Sequence, residues 1–424
     1  MKKNKRIYKG IKLTDSQWDV VTKMNQSDSF FNILCCSRQW GKSMLMSQLI
    51  LRDAINNKGS KLLYAAPIYA QARKMYNDIF NGIAASGIVK EKNKSELFIT
   101  LINGSIIKFV GCENYDSLRG LSINYMYIDE FVFVKYGAWS NALRPMLQVA
   151  GRKCYIASTP RQQGSEFHTL FNKGMAQEDR YFAIHKNYLD NPLANIAEVE
   201  DARKNLPDLI FKAEYLGEFI PNGAEVFAGL DRASIITAFR MPKPGEKVFA
   251  GLDLAKQHDY SVLTIVNDKG EVLFIYRDQK KDWNDMVHNI NTYLKQYGVK
   301  KCLVESNSIG DTVIDMLIKG GAKNIIEPFA TTPGSKPELI ERLIVAFEQG
   351  TIRIPIKDVF PALYTELSSF TYTYNPKTRQ VKYGAPNGSY DDCVMSLAFA
   401  IECLTKNNKR SSPSFHAIGI NKEQ

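Results

Sequence analysis

Residues Cys36 to Ser43 read CSRQWGKS, and YMYIDE follows at Tyr125 to Glu130. A Gly-Lys-Ser that closes a turn and opens a helix can hold phosphates. Backbone N–H groups and the helix N-terminus attract the anion, the lysine reaches the terminal phosphates, and the serine binds Mg²⁺. On that pattern Ser37, Arg38, Gln39, Trp40 and Gly41 form the cradle. Lys42 then reaches the β- and γ-phosphates, and Ser43 faces the cation. Asp129, ending an apolar strand, is the matching acid for the Mg²⁺ shell, and Glu130 orients the attacking water. Cys36 occupies the position of the first glycine usual in such loops. Arg38, within the loop, and Arg119, in SLRG, are candidates to stabilise charge on the γ-phosphate. Gln17 in LTDSQW is a candidate adenine contact, with a helix start capped by Thr14 or Asp15 as the plainer reading. ATP with Mg²⁺ is the implied cofactor.

A second set of acids lies in the other half. Asp253 sits in the apolar run VFAGLDLA, Glu305 closes KCLVE, and Asp391 and Asp392 open DDCVMSLAFA. A two-metal nuclease needs carboxylates from separate elements converging on cations roughly 3.5–4 Å apart. Hard oxygen donors of this kind suit Mg²⁺, with Mn²⁺ as a substitute. A carboxylate inside an apolar strand is costly unless it has a partner, and this singles out Asp253. Asp259 is a possible auxiliary acid. Taken singly, Asp391 also reads as a helix N-cap and Glu305 as a strand-end surface charge. Asp391 and Asp392 point about 100° apart around a helix, so spacing leaves open which one faces a metal. His258 and His288 lack ligand spacing and read as surface residues.

These residues need two scaffolds. FFNILCC, KLLYAAP, YMYID and KCYIASTP read as buried strands separated by helical stretches such as MLMSQLILRDAI and Ala70 to Ile83. That alternation predicts a mostly parallel α/β sheet. LFITLINGSIIKFVG reads as a hairpin turning at Asn103-Gly104. Residues 206–246, rich in proline and glycine, read as a connector. From Val248 three strands, with Asp268-Lys269-Gly270 between the last two, precede alternating helices and strands and a final amphipathic helix, Asp391 to Leu404. This is the ribonuclease H-like order. The expected organisation is therefore an ATPase domain over 1–205, a linker over 206–246, a nuclease domain over 247–406 and a flexible basic tail over 407–424.

Composition narrows the class. The 424 residues are 45% hydrophobic and 23% charged, ordinary for a globular chain. No apolar run reaches the length of a membrane span, and the basic N-terminus lacks a secretory core, so no membrane role is expected. The seven cysteines have no C-x-x-C spacing and read as reduced core thiols. The net charge of +11 suits a polyanionic partner.

In sequence the chain resembles the large terminase subunits of tailed bacteriophages, from Leu13 to about Leu404. The resemblance rests on SRQWGKS, the Arg119-Gly120 pair, IDE at Ile128 to Glu130, ASTP at Ala157 to Pro160, YLDNP, EYLGEF, GLDLA, VES and the Asp391-Asp392 pair. The resemblance implies an ATP-driven motor that moves double-stranded DNA into a procapsid and a nuclease that cuts concatemeric genomes. It implies that Ser158 and Thr159 transmit hydrolysis to DNA movement, that a neighbouring subunit receives Arg119, and that Asp253, Glu305 and Asp392 hold the metals. Tyr390 stands where such chains often carry histidine. The implied partners are double-stranded DNA, portal protein, a small terminase subunit and further copies in a ring on the procapsid, with a monomer compatible in isolation. The implied location is the host cytoplasm, outside the mature virion. Two other readings are a helicase-like or repair ATPase fused to a nuclease, which needs no portal, and a nucleotide-switched DNA clamp, which turns over nothing.

Overall fold

The computed structural model describes residues 12–221, 223–254, 260–279, 282–306, 309–375, 380–386 and 388–410. His258, Asp259 and the residues beyond 410 lie outside them. The chain divides into two compact units near residue 222.

In the first unit, α1 (Asp15–Gln26) precedes β1 (Phe31–Cys36), α2 (Lys42–Asn56), β2 (Lys61–Ala66) and α3 (Tyr69–Ile83). Then come β3 (Val89–Asn93), β4 (Phe98–Leu101), β5 (Ile106–Gly111), β6 (Tyr125–Ile128), β7 (Lys153–Ser158), α4 (Glu166–Met175) and β8 (Tyr181–Lys186). Helices α5 (Ile196–Asn205) and α6 (Asp208–Phe211) follow. Among the described residues one sheet runs β3-β4-β5-β2-β6-β7-β1-β8. It is parallel from β5 to β8 and antiparallel over β3-β4-β5. All six residues of β1 are buried, as suits a mostly apolar strand between two parallel neighbours. Strand β3 carries a polar sequence, VKEKN, with no apolar run to reveal it, whereas β8, YFAIHK, begins with the short apolar stretch YFAI and then turns polar. The 98–111 hairpin forms, with Gly104 alone of its turn pair at positive φ, +86°. Between β6 and β7 the chain makes short 3₁₀ and π turns in place of an α-helix.

The stretch read as a connector is built into structure. It holds α6, a π turn at Lys212–Leu216, α7 (Leu230–Ala233) and β9 (Ser234–Ile236). The second unit continues with β10 (Val248–Asp253), β11 (Ser261–Asn267), β12 (Val272–Asp278), α8 (Trp283–Gln296), β13 (Lys301–Glu305), α9 (Ile309–Leu317), β14 (Ile326–Phe329) and α10 (Ser335–Glu348). It closes with β15 (Ile354–Pro355), α11 (Pro361–Ser369), β16 (Thr371–Asn375), β17 (Gln380–Gly384) and α12 (Asp392–Arg410). Its main sheet runs β12-β11-β10-β13-β14, antiparallel on one side of β10 and parallel on the other. Helix α12 reaches Arg410, through the first residues of the segment read as a tail.

Glycine decides how α12 meets β10. A Cβ on Gly251 would collide with both Ser396 O and Ala400 N, so a side chain there would push the helix away. Ser396 Oγ then bonds Gly251 O at 3.0 Å and Thr264 Oγ1 at 2.9 Å. The apolar residues of α12, among them Val394, Leu397 and Ala398, fill the core beneath it.

Candidate functional site

Strands β6, β7 and β1 are adjacent and parallel, so their C-terminal ends share one edge of the sheet. Asp129, Ser158 and the loop at residues 37–41 are delivered there together, where α/β sheets bind ligands. Helix α2 starts at Gly41, whose φ of +100° only glycine adopts cheaply, and no side chain caps it. Its first amides are therefore left for an anion. A Cβ on Gly41 would also sit 2.6 Å from Gln17 Nε2.

Gln17, the candidate adenine contact, takes part in the helix start that was its plainer reading. Its Oε1 accepts from Thr14 N at 3.0 Å in a capping box, and its Nε2 donates to Gly41 O at 3.1 Å. The helix cap and the loop are thus latched by one buried amide.

The polar residues on this edge hold one another. Ser43 Oγ donates to Asp129 Oδ2 at 2.6 Å, and Lys42 Nζ reaches Glu130 Oε1 at 2.9 Å and Thr159 Oγ1 at 3.1 Å. Ser158 Oγ accepts from Val132 N at 3.2 Å, so the end of β7 and the residue after it touch the segment after Glu130 and the lysine respectively. Burial raises the Asp129 pKa, with Glu130 adding to it, while Ser43, Lys42 and Tyr64 pull it back. Burial opposes the Lys42 charge, yet Glu130 and its other anionic neighbours outweigh it and raise the pKa. Glu130 itself has φ +49°, strained for a non-glycine residue and a common mark of functional positions. Cys36 is buried, and burial pushes its thiol up to about 12, which leaves it an inert core group. All seven cysteines are free and buried.

The loop is braced from three sides. Ser37 N donates to Lys186 O at 3.0 Å, Arg38 N to Glu214 O at 2.7 Å, and Asn191 Nδ2 to Gln39 O at 3.1 Å. Asn191 belongs to YLDNP, and Glu214 to EYLGEF. Glu214 also pairs with Arg161 at 2.5 Å and lies 3.9 Å from Arg38, whose side chain is mostly exposed. Trp40 is buried in the core with α1. Arg119 is exposed and pairs with Asp116 of its own turn at 2.9 Å.

In the second unit Asp253 ends β10, Glu305 ends the adjacent parallel β13, and Asp392 begins α12. Asp253 is buried, and burial raises its pKa well above the carboxylate range, reinforced by the charges of Glu305, Asp392 and Asp391 and by a hydrogen bond with Glu305. Asp392 is also buried, and its Oδ2 accepts from Tyr260 N at 3.1 Å. Asp391 is half-buried and turns to Lys336 Nζ at 2.9 Å. The pair thus divides, with Asp392 the inner acid and Asp391 the outer. Among the described residues no three of His, Cys, Asp and Glu stand in a cation cage. Asp253 and Glu305 instead lie within hydrogen-bond reach of each other. The donors are all hard oxygens, the neighbouring acids raise the proton affinity of Asp253, and a divalent cation would relieve that repulsion; the residues fit Mg²⁺ or Mn²⁺.

Two family models match the chain: terminase large subunit, T4-like virus type, N-terminal, over residues 33–234, and the terminase RNase H-like domain over residues 250–402. The chain belongs to the large terminase subunits. It is 24% identical to the large terminase subunit of Thermus virus P23-45 over 418 residues, covering 89% of this chain and 85% of that one. With the large subunit of Escherichia phage T5 it shares 26% identity over 311 residues, 70% of each chain. A solved large terminase from a thermophilic bacteriophage shares the fold over 93% of this chain and 100% of that one, with a TM-score of 0.51 at 14% identity.

For a large terminase subunit, sequence motifs found most of the polar residues on both edges but missed several that hold them. Tyr64 OH donates to Asp129 Oδ2 at 3.0 Å. It lies within an apolar strand, where tyrosine reads as core. Arg161, Lys336 and Glu366 belong to no motif, and only folding brings them to the sites.

Proposed function

We propose that this large terminase subunit hydrolyses ATP at the β1–β6–β7 edge to move double-stranded DNA, and cuts DNA at the Asp253 site. The observation that carries the reading is the joined set Ser43–Asp129, Lys42–Glu130 and Lys42–Thr159, in one chain with a buried acid cluster on a ribonuclease H-like sheet.

Lys42 leaves Glu130 for the terminal phosphates when ATP binds, which frees Glu130 to orient water. Ser43 and Asp129 hold Mg²⁺. The amides at the start of α2 receive phosphate charge, and Gln17 keeps Gly41 in the conformation that presents them. Thr159 senses the departure of Lys42, and Ser158 relays it to the backbone after Glu130. Arg119, exposed on the surface, serves a neighbouring copy. Asp253, Glu305 and Asp392 hold the nuclease cations, which supply charge neutralisation at the phosphodiester and an activated water when bound. The ring forms on a portal with a small terminase subunit feeding it DNA, in the host cytoplasm. Among the described residues no helix is long and apolar enough to cross a membrane.

Cleavage of supercoiled plasmid with Mg²⁺ or Mn²⁺ tests the division of labour. Wild type and Lys42→Ala should cut, and Asp253→Ala should not. ATP-driven DNA uptake should require the portal; uptake without it would favour a helicase-like role.

A further inference from the structure

A helix leaves the amides of its first turn without partners, and a side chain at its own N-cap normally meets them. In α12 they are met from another element. Glu366 of α11 is only 5% exposed, and its Oε2 accepts from Cys393 N at 2.7 Å and Val394 N at 3.4 Å. Asp391, placed to cap locally, points to Lys336 instead. Asp392 turns its Oδ2 to Tyr260 N.

Glu366 has a second tie to the same acid. Its Oε1 faces Arg277 of β12 at 3.6 Å, and the Arg277 guanidinium lies 3.4 Å over the centre of the Tyr260 ring. Tyr260 packs edge-on against Tyr390 at 5.2 Å. The helix that Asp392 begins and the Tyr260 amide it accepts from therefore each lead back to Glu366. A buried carboxylate is an expensive cap where Asp391 could serve alone. The arrangement makes sense if the carboxylates of Asp391 and Asp392 are needed elsewhere.

We infer that Glu366 is a positioning residue of the nuclease: it holds Asp392 toward Asp253 without itself touching metal or DNA. This rests on the nuclease reading above. Side chains that support a metal-ligand set typically change affinity or activity about 10- to 100-fold when removed. Glu366→Gln keeps an oxygen for Cys393 N and loses the charge facing Arg277, whereas Glu366→Ala loses both.

The test uses the full chain without nucleotide. Mn²⁺ binding is followed by electron paramagnetic resonance, and plasmid cleavage is measured across Mn²⁺ concentrations, with thermal melting alongside. Glu366→Ala should need about 10-fold more Mn²⁺ or above for both readouts, and should approach wild-type cleavage at saturation. Glu366→Gln should fall between. A role in folding alone would lower the active fraction without moving the Mn²⁺ dependence, and that result overturns the inference. If the alanine variant melts below the assay temperature, the glutamine variant decides by the same shift. Wild-type Mn²⁺ dependence in both Glu366 variants, with Asp253→Ala inactive, removes this role and leaves the nuclease reading standing. Cleavage by Asp253→Ala at the wild-type rate removes the nuclease reading itself.

Discussion

At the β1–β6–β7 edge every acid has a donor: Asp129 takes three, from Ser43, Tyr64 and the Glu130 amide, and Glu130 takes the Lys42 ammonium. At the Asp253 edge acids face acids, and the ammonium of Lys336 stands at the rim on Asp391. The first site carries its own cation and must open an ion pair to accept phosphate. The second, among the described residues, places its ammonium at the rim, and on the proposed reading a cation from solvent would fill its centre. The difference predicts unequal sensitivity to mutation and to metal.

The largest expected effect is at the site that draws its cation from solvent. Asp253→Ala should bring plasmid cleavage to background while ATP hydrolysis stays near wild type, read on the same preparation. Loss of both together would mean that the two sites are not separable.

Next is Glu130→Ala, which should lower ATP hydrolysis by about 10²–10⁴-fold, the usual worth of a group that handles the reacting proton. Binding of ATP should persist, measured by equilibrium titration. Retained turnover would remove Glu130 from its assigned role and leave its pairing with Lys42 as a structural tie.

Tyr64→Phe probes the donors around Asp129. The Mg²⁺ needed for half-maximal hydrolysis should rise roughly 10-fold, as for other groups that orient a metal ligand. The rate at saturating Mg²⁺ should change little. The same variant should leave the metal dependence of cleavage untouched, which sharpens the contrast between the sites.

The smallest effect concerns stability. Arg240 holds Glu246 down to about 2 from an ordinary 4.5, and lowers Glu271 in the same way. A folded-state pKa below the unfolded value stabilises above pH 4.5 and loses that contribution as pH falls toward 2. Arg240→Met should therefore lower the melting temperature near neutrality, followed by circular dichroism, and the difference from wild type should shrink as pH falls toward 2. An unchanged melting temperature near neutrality would show the cluster to be screened by solvent.

The motifs CSRQWGKS, YMYIDE, GLDLA, VES and DD were legible because each chemistry demands fixed residue types at short spacing. The buried strands were legible because short apolar runs bounded by turn signals mark them. Strand β3 was not, since VKEKN is almost wholly polar and only pairing with a neighbour makes it a strand; β8 was not, since YFAI is too short a run to separate strand from helix. The connector read from its prolines and glycines turned out to carry Glu214, whose backbone and carboxylate brace the phosphate loop. Gln17 was legible as either a cap or a ligand contact. Three-dimensional packing shows the capping box and adds the bond to Gly41.

Sequence alone settled that this chain joins a phosphate loop with its acid pair to a second sheet bearing carboxylates, because local spacing and strand composition encode those features. Tertiary structure decided which acid of the Asp391-Asp392 pair faces inward, that Glu366 caps the helix they begin, and that Tyr64 serves Asp129. Those choices depend on contacts between residues far apart in the chain, such as Glu366 with Cys393 or Tyr64 with Asp129, which no local pattern specifies.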